Sequence, residues 1–262
     1  MLNLKIIACK SMYRELSLLA ALSTNVTDVT WLRQGLHDTP EKLAQTLQAE
    51  VAAIDAETDM HTNPPPYGDG FDAILIGYGL CCNGIVGLSS EKTPIVIPRA
   101  HDCMTFFLGS KERYKQEFSG VDASGAEKAA NGGTYWFSPG WIECCTMPSA
   151  ASHEYRVKLL TPKYGAERAE KMVDQWEEYY AGYSRLAYIK WPEFEGLPFE
   201  TRAVEFSKEA AVRTGWTYEE LPGDPSLLRD FLEGNWDEER FLVVPPGKKV
   251  AASFDDDIIE VE

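Results

Sequence analysis

Cys81 and Cys82 stand side by side in GYGLCCNGIVGL (77–88), between glycines and directly after the apolar run FDAILI. Cys9 ends LKIIAC, Cys103 follows TPIVIPRAHD, and Cys144 and Cys145 follow GTYWFSPGW, so each thiol sits at or after the end of a strand-like run. Thiolates with one imidazole are a common ligand set for zinc, and three or four thiolates suit an iron–sulfur cluster. Cys9, Cys81 and Cys103 are the candidate metal ligands, with His101 as a fourth ligand or as an acid/base. Gly79 and Gly84 flank the pair and would let the backbone approach a bound ion or cluster. Arg99 and Asp102 complete the candidate catalytic set, Arg99 for an anionic substrate.

The same residues have plainer uses. A buried cysteine often acts as a small hydrophobe. Asp102 reads as a helix cap, Arg99 could pair with a carboxylate, and His101 could satisfy a carbonyl. His37 follows the second strand and could reach the same edge, whereas His61 and His153 read as loop residues. A metal-free alternative uses Cys103 or Cys81 as nucleophile with His101 as base. Placed at a helix start, Cys103 would have a lowered pKa.

Positioning these residues requires strands that end together. LKIIAC (4–9), DVTWL (28–32), FDAILIGYG (71–79), TPIVIPRA (93–100) and GTYWFSPGW (133–141) read as strands, and 61–70 as a loop. Helices are predicted over 10–22, over 39–57 with Thr39 as cap and Pro40 at the first position, and over 102–118. Beyond residue 150 the pattern predicts helices over 165–183 and 201–215 around a strand at 185–191. The alternation then continues to 253, before an acidic tail read as mobile or attached to a sheet edge. This predicts an α/β fold with a doubly wound, largely parallel, Rossmann-like sheet, helices on both faces and a C-terminal elaboration. The organisation read is an α/β domain over 1–195 and an extension over 196–262 packed on it. In such a sheet the C-terminal strand ends share one edge, where ligands bind.

The formal net charge is −16, with no basic stripe, which argues against nucleic acid as a partner. No stretch approaches the roughly 20 apolar residues of a membrane helix, and the N-terminal residues do not read as a signal peptide, so the expected location is the cytoplasm. There thiols stay reduced, and six cysteines point to metal or thiol chemistry. No GxGxxG follows the first strand, and GxxxxGK[ST], GxSxG, HExxH and CxxC are absent.

GYGLCCNGIVGL, TPIVIPRAHDCMTFFLGSKERY and GTYWFSPGW resemble the bacterial and archaeal family called domain of unknown function 1638, over about residues 4 to 195. Cys9, Cys81, His101, Asp102 and Cys103 match its motif positions. Cys82 departs from a pattern in which glycine follows the single cysteine, and Cys144 and Cys145 lie outside the strongest blocks. The resemblance implies a setting in corrinoid-linked methyl transfer or one-carbon metabolism. It also implies a small-molecule methyl donor or acceptor, and a corrinoid contact through a partner protein. The protein would then be a metal-dependent methyltransferase, or a binding or accessory module whose acidic surface docks a corrinoid protein.

Overall fold

In the computed structural model, residues 1–59, 70–81, 83–118, 133–145 and 148–262 are described. His61, Cys82 and nearly all of the 61–70 loop lie outside them.

β1 (Asn3–Cys9) is buried along its whole length, as its uninterrupted apolar run demands. Its one cation, Lys5, is fully buried and neutralised by Asp28 at 2.5 Å and Asp59 at 3.4 Å. Met12, Leu16 and Leu19 bury the inner face of the following turn and of α1 (Tyr13–Leu22). β2 (Val26–Leu32) leads to α2 (Pro40–Asp55), which buries Leu43, Leu47, Val51 and Ile54 at helical spacing. Thr39 occupies its N-cap position, but its side chain makes no capping hydrogen bond. Proline at the first position is preset for the helix and lacks only an N–H that has no partner within the helix.

β3 (Ala73–Gly77) and β4 (Ile95–Pro98) are completely buried. The helix expected over 102–118 is broken. It forms α3 (Met104–Leu108) and α4 (Lys111–Phe118), because Gly109 adopts φ 86° and ends the first piece.

The next segment builds a separate sheet. β5 (Gly133–Phe137) is followed by α5 (Pro139–Cys144), which Ser138 caps by accepting from the Trp141 amide. α6 (Ala150–Tyr164) and α7 (Ala166–Glu177) form a helical pair. β6 (Tyr183–Lys190), α8 (Pro198–Thr214) and β7 (Thr217–Pro222) complete the segment. The sheet order is β5-β6-β7, all parallel. Phe137, Leu186 and Tyr188 meet Ala203, Ala210 and Trp216 in its core.

α9 (Ser226–Glu233) and β8 (Phe241–Val244) then precede the β9 (Val250–Ala252) and β10 (Ile259–Val261) hairpin. β8 joins the first sheet antiparallel to β4, giving the order β2-β1-β3-β4-β8. β1 through β4 are mutually parallel. The chain therefore divides into Met1–Tyr114 with Asp224–Glu262, and Lys115–Gly223. This partition does not follow a boundary at 195, since the strand pairing of β8 returns the C-terminal residues to the first unit.

The α/β class holds, but the strands are shared between a mixed five-strand sheet and a parallel three-strand sheet. The acidic tail ends in β10, which pairs antiparallel with β9 in a two-stranded sheet of its own. No helix among the described residues is long and apolar enough to cross a membrane.

Candidate functional site

From β1 the chain steps to β2 on one side, then returns to β3 on the other. In a doubly wound sheet such a reversal is where ligands bind, at the C-terminal strand ends. Cys9 is the last residue of β1, and Tyr78 and Cys81 follow β3. Cys103 follows β4, immediately before α3.

Backbone geometry binds the last two loops together. Leu80 donates its amide to the Ala100 carbonyl at 2.8 Å, and Cys81 donates to the His101 carbonyl at 3.0 Å. Gly79 permits this approach, because a Cβ there would lie 2.8 Å from Ala100 O and 2.9 Å from Asp102 N. Gly84 packs on Leu43, where a Cβ would meet Cδ2 at 2.5 Å. Both glycines thus have packing reasons for being glycine. Cys81 itself adopts φ 44°, a left-handed conformation that L-residues avoid at a cost of about 1–3 kcal/mol.

Tyr78 comes directly after Gly77, the last residue of β3. It is 2% exposed, and its hydroxyl has no hydrogen-bond partner of acceptable geometry among the described residues. Cys9, Cys81 and Cys103 all lie close enough to oppose its ionisation, after burial, which pushes its pKa furthest upward. The Cys9 sulfur comes nearest to pairing with it, but sulfur is a weak acceptor. The only visible hint in the sequence is a tyrosine between two glycines at a buried strand's end.

Burial raises the Cys9 pKa, partly offset by the Ser11 hydroxyl, which donates to Sγ at 3.1 Å. Cys103 keeps some solvent-exposed surface, yet the dense protein around its thiol pushes its pKa well up, with Asp102, Cys9 and Cys81 adding to the effect. The lowering expected from a helix start is absent: α3 is one short turn beside a carboxylate. Asp102 lies one residue before the N-cap position, which is Cys103, and its carboxylate accepts from the Met104 amide at 2.9 Å and the Tyr114 hydroxyl at 2.7 Å. Burial raises its pKa, and Tyr114 opposes that. His101 is exposed on the same loop.

Arg99 is engaged elsewhere. Its guanidinium donates to the carbonyls of Glu238 and Asp257, at 2.8 and 2.9 Å, and to that of Ile259, holding the β9–β10 hairpin. Cys144 ends α5 and Cys145 follows it, on the three-strand sheet, so the cysteines do not share one sheet edge. Burial, and then Cys145, raises the Tyr135 pKa.

His153 lies in α6 and not in a loop. It meets Glu170 at 3.0 Å and Glu177 at 3.1 Å, and the Glu170 contact raises its pKa. With Asp174, His153 and Glu170 form the only trio of possible metal ligands among the described residues whose atoms all lie within 4.8 Å of one another. Glu170 and Asp174 are exposed, and paired charges account for the cluster. The sulfurs of Cys9, Cys81 and Cys103 do not all lie within 4.8 Å of one another.

A family model described as "Protein of unknown function (DUF1638)" matches residues 31–232. The match includes Cys81 and Cys103, begins after Cys9, and extends past the span the resemblance had covered. No curated protein and no solved structure matches the chain. Because the match takes in well over half of the 262 residues, the chain belongs to the DUF1638 family of proteins of unknown function.

Proposed function

We propose that Cys9, Cys81 and Cys103 hold a thiophilic metal centre at the C-terminal ends of β1 and β3. The observation that carries this reading is the buried Tyr78 hydroxyl, left without a hydrogen-bond partner and under the electrostatic influence of all three thiols. A buried polar group is normally satisfied, and one that is not calls for an occupant. The left-handed backbone of Cys81 adds support, since such strain persists where a site needs its side chain aimed.

The spacing favours a cluster over a single ion. Two thiolates on one tetrahedral zinc, each about 2.3 Å from the metal, lie about 3.8 Å apart. Thiolates on an iron–sulfur cluster bind different irons and stand farther apart, in line with three sulfurs that do not all lie within 4.8 Å of one another. Three thiolates would leave one metal position for His101 or a substrate. This placement takes the β2-β1-β3-β4 part to be doubly wound. The methyl-transfer role, with a corrinoid protein as partner and a cytoplasmic location, is the setting that family resemblance implies for this centre. Such a centre could supply a Lewis-acidic site or an acceptor thiolate for a methyl group.

The test is metal, iron and sulfide analysis of anaerobically purified and reconstituted protein, alongside Cys81→Ala and Cys103→Ala. Stoichiometric metal in the parent and its loss in both variants is the expected result. A folded parent that takes up neither zinc nor iron overturns the proposal.

A further inference from the structure

Cys9 and Cys103 stand in opposite surroundings. β1 ends at Cys9, and Lys10–Met12 follow as a single 3-10 turn with Cys9 at its N-cap position. Cys9 is 5% exposed, and Ser11 is fully buried. The Ser11 hydroxyl donates to Cys9 Sγ at 3.1 Å, and that sulfur is its one hydrogen-bond acceptor among the described residues. The Ser11 amide and the Tyr78 hydroxyl act on the sulfur in the same direction, both favouring its charged form, although neither meets the geometry of a full hydrogen bond. Cys103 has the Asp102 carboxylate for a neighbour instead, which opposes charge on its thiol.

A buried hydroxyl aimed at sulfur is poorly used on a neutral thiol. Thiol sulfur is a weak acceptor, whereas hydrogen bonds to an ionised acceptor are roughly twice as strong as neutral ones. A thiol that coordinates a metal is deprotonated outright. Outer hydrogen bonds to such a ligand fix its orientation and tune the metal. In a cluster, a donor to a ligand sulfur favours the reduced form, which carries the larger negative charge, and so raises the potential.

We infer that Ser11 is a positioning residue for the metal centre, its hydroxyl donating to the Cys9 thiolate and raising the reduction potential of a cluster bound there. The inference rests on Cys9 being a ligand of the proposed centre. A serine kept only for packing would leave that potential in place when its hydroxyl is removed.

The full chain is purified anaerobically and reconstituted with iron and sulfide, beside Ser11→Ala and Ser11→Thr. Metal content, urea midpoint and reduction potential are measured on each preparation. At the parent's midpoint potential, the reduced-to-oxidised ratio of Ser11→Ala should fall about threefold or more, with metal content unchanged. Ser11→Thr, which keeps the hydroxyl, should return the ratio toward the parent's. Where the parent loads zinc instead, cobalt(II) put in its place gives the readout. Its thiolate-to-metal absorption band should move to longer wavelength in Ser11→Ala and back in Ser11→Thr. A loaded Ser11→Ala protein with the parent's potential or band overturns the inference and leaves the metal centre standing. A shift that Ser11→Thr reproduces in full overturns it too, because packing and not the hydroxyl would then be the cause. Metal lost from a folded Ser11→Ala makes the hydroxyl a loading group and likewise overturns the tuning role. A folded parent that takes up neither metal overturns the centre itself, and this use of Ser11 with it.

Discussion

The amide of Cys81 donates to the carbonyl of His101 at 3.0 Å. This bond, with its neighbour from Leu80 to Ala100, joins the loop after β3 to the loop after β4 and so sets Cys81 beside Cys103. Both partners are backbone, so the pairing survives any side-chain change that leaves the close approach at Gly79 intact.

Gly79→Ala attacks that approach. The new methyl would meet backbone atoms of Ala100 and Asp102 under 3.0 Å away, which no rotamer can relieve. Overpacking of this kind costs about 1–3 kcal/mol. The expected outcome is a lower urea midpoint together with weakened metal retention, measured on one preparation.

Cys81 offers a contrast between two small substitutions. At φ 44°, glycine removes the strain that alanine keeps. Cys81→Gly should therefore be more stable than Cys81→Ala by about 1 kcal/mol in chemical denaturation, although neither should bind metal. Equal midpoints would show that the left-handed conformation costs nothing.

Arg99→Ala tests whether this arginine anchors the fold or serves the site. Two of its three carbonyl acceptors, Asp257 and Ile259, belong to the β9–β10 hairpin, and the third, Glu238, precedes β8. Loss of hydrogen bonds from a charged donor should cost about 2 kcal/mol. Faster amide exchange is expected over residues 250–261, with metal content unchanged. A selective loss of metal would return Arg99 to the site.

His153 gives a pH signature. Its folded pKa is raised, chiefly by Glu170 and secondarily by Glu177, against the unfolded value near 6.5. The folded state then binds the proton more tightly. The resulting stability is fully present below about pH 6.5 and is lost as pH rises through the raised folded value. Denaturation of His153→Gln across that range should show a flatter profile than the parent. Two parallel profiles would count against the ion pairs.

Particular elements show how far the sequence could be read. The apolar runs at 4–9, 71–79 and 93–100 became buried strands, because a run without polar alternation needs cover on both faces. The break at Gly109 was missed, since apolar spacing in MTFFLGSKERY continues smoothly across it while the turn at φ 86° leaves no mark on that spacing. α6 went unread because a weakly amphipathic helix with an internal proline at Pro162 has little periodic signal. Cys144 and Cys145 looked like members of the same edge because strand ends resemble one another in sequence, whichever sheet they join.

What the sequence determined by itself was the set of local elements, the class, and the placing of thiols at strand ends. These follow from periodicity, glycine and proline positions, and burial demand, all properties of neighbouring residues. Only the tertiary structure decided that β5, β6 and β7 form their own sheet and that β8 returns to β4. It also decided that Cys9, Cys81 and Cys103 all lie near enough to Tyr78 to oppose its ionisation. Strand pairing and side-chain convergence depend on backbone hydrogen bonds between distant segments, and a backbone amide is the same chemical group at nearly every residue. The chain order therefore carries no label for its partner, and the three-dimensional fold must supply it.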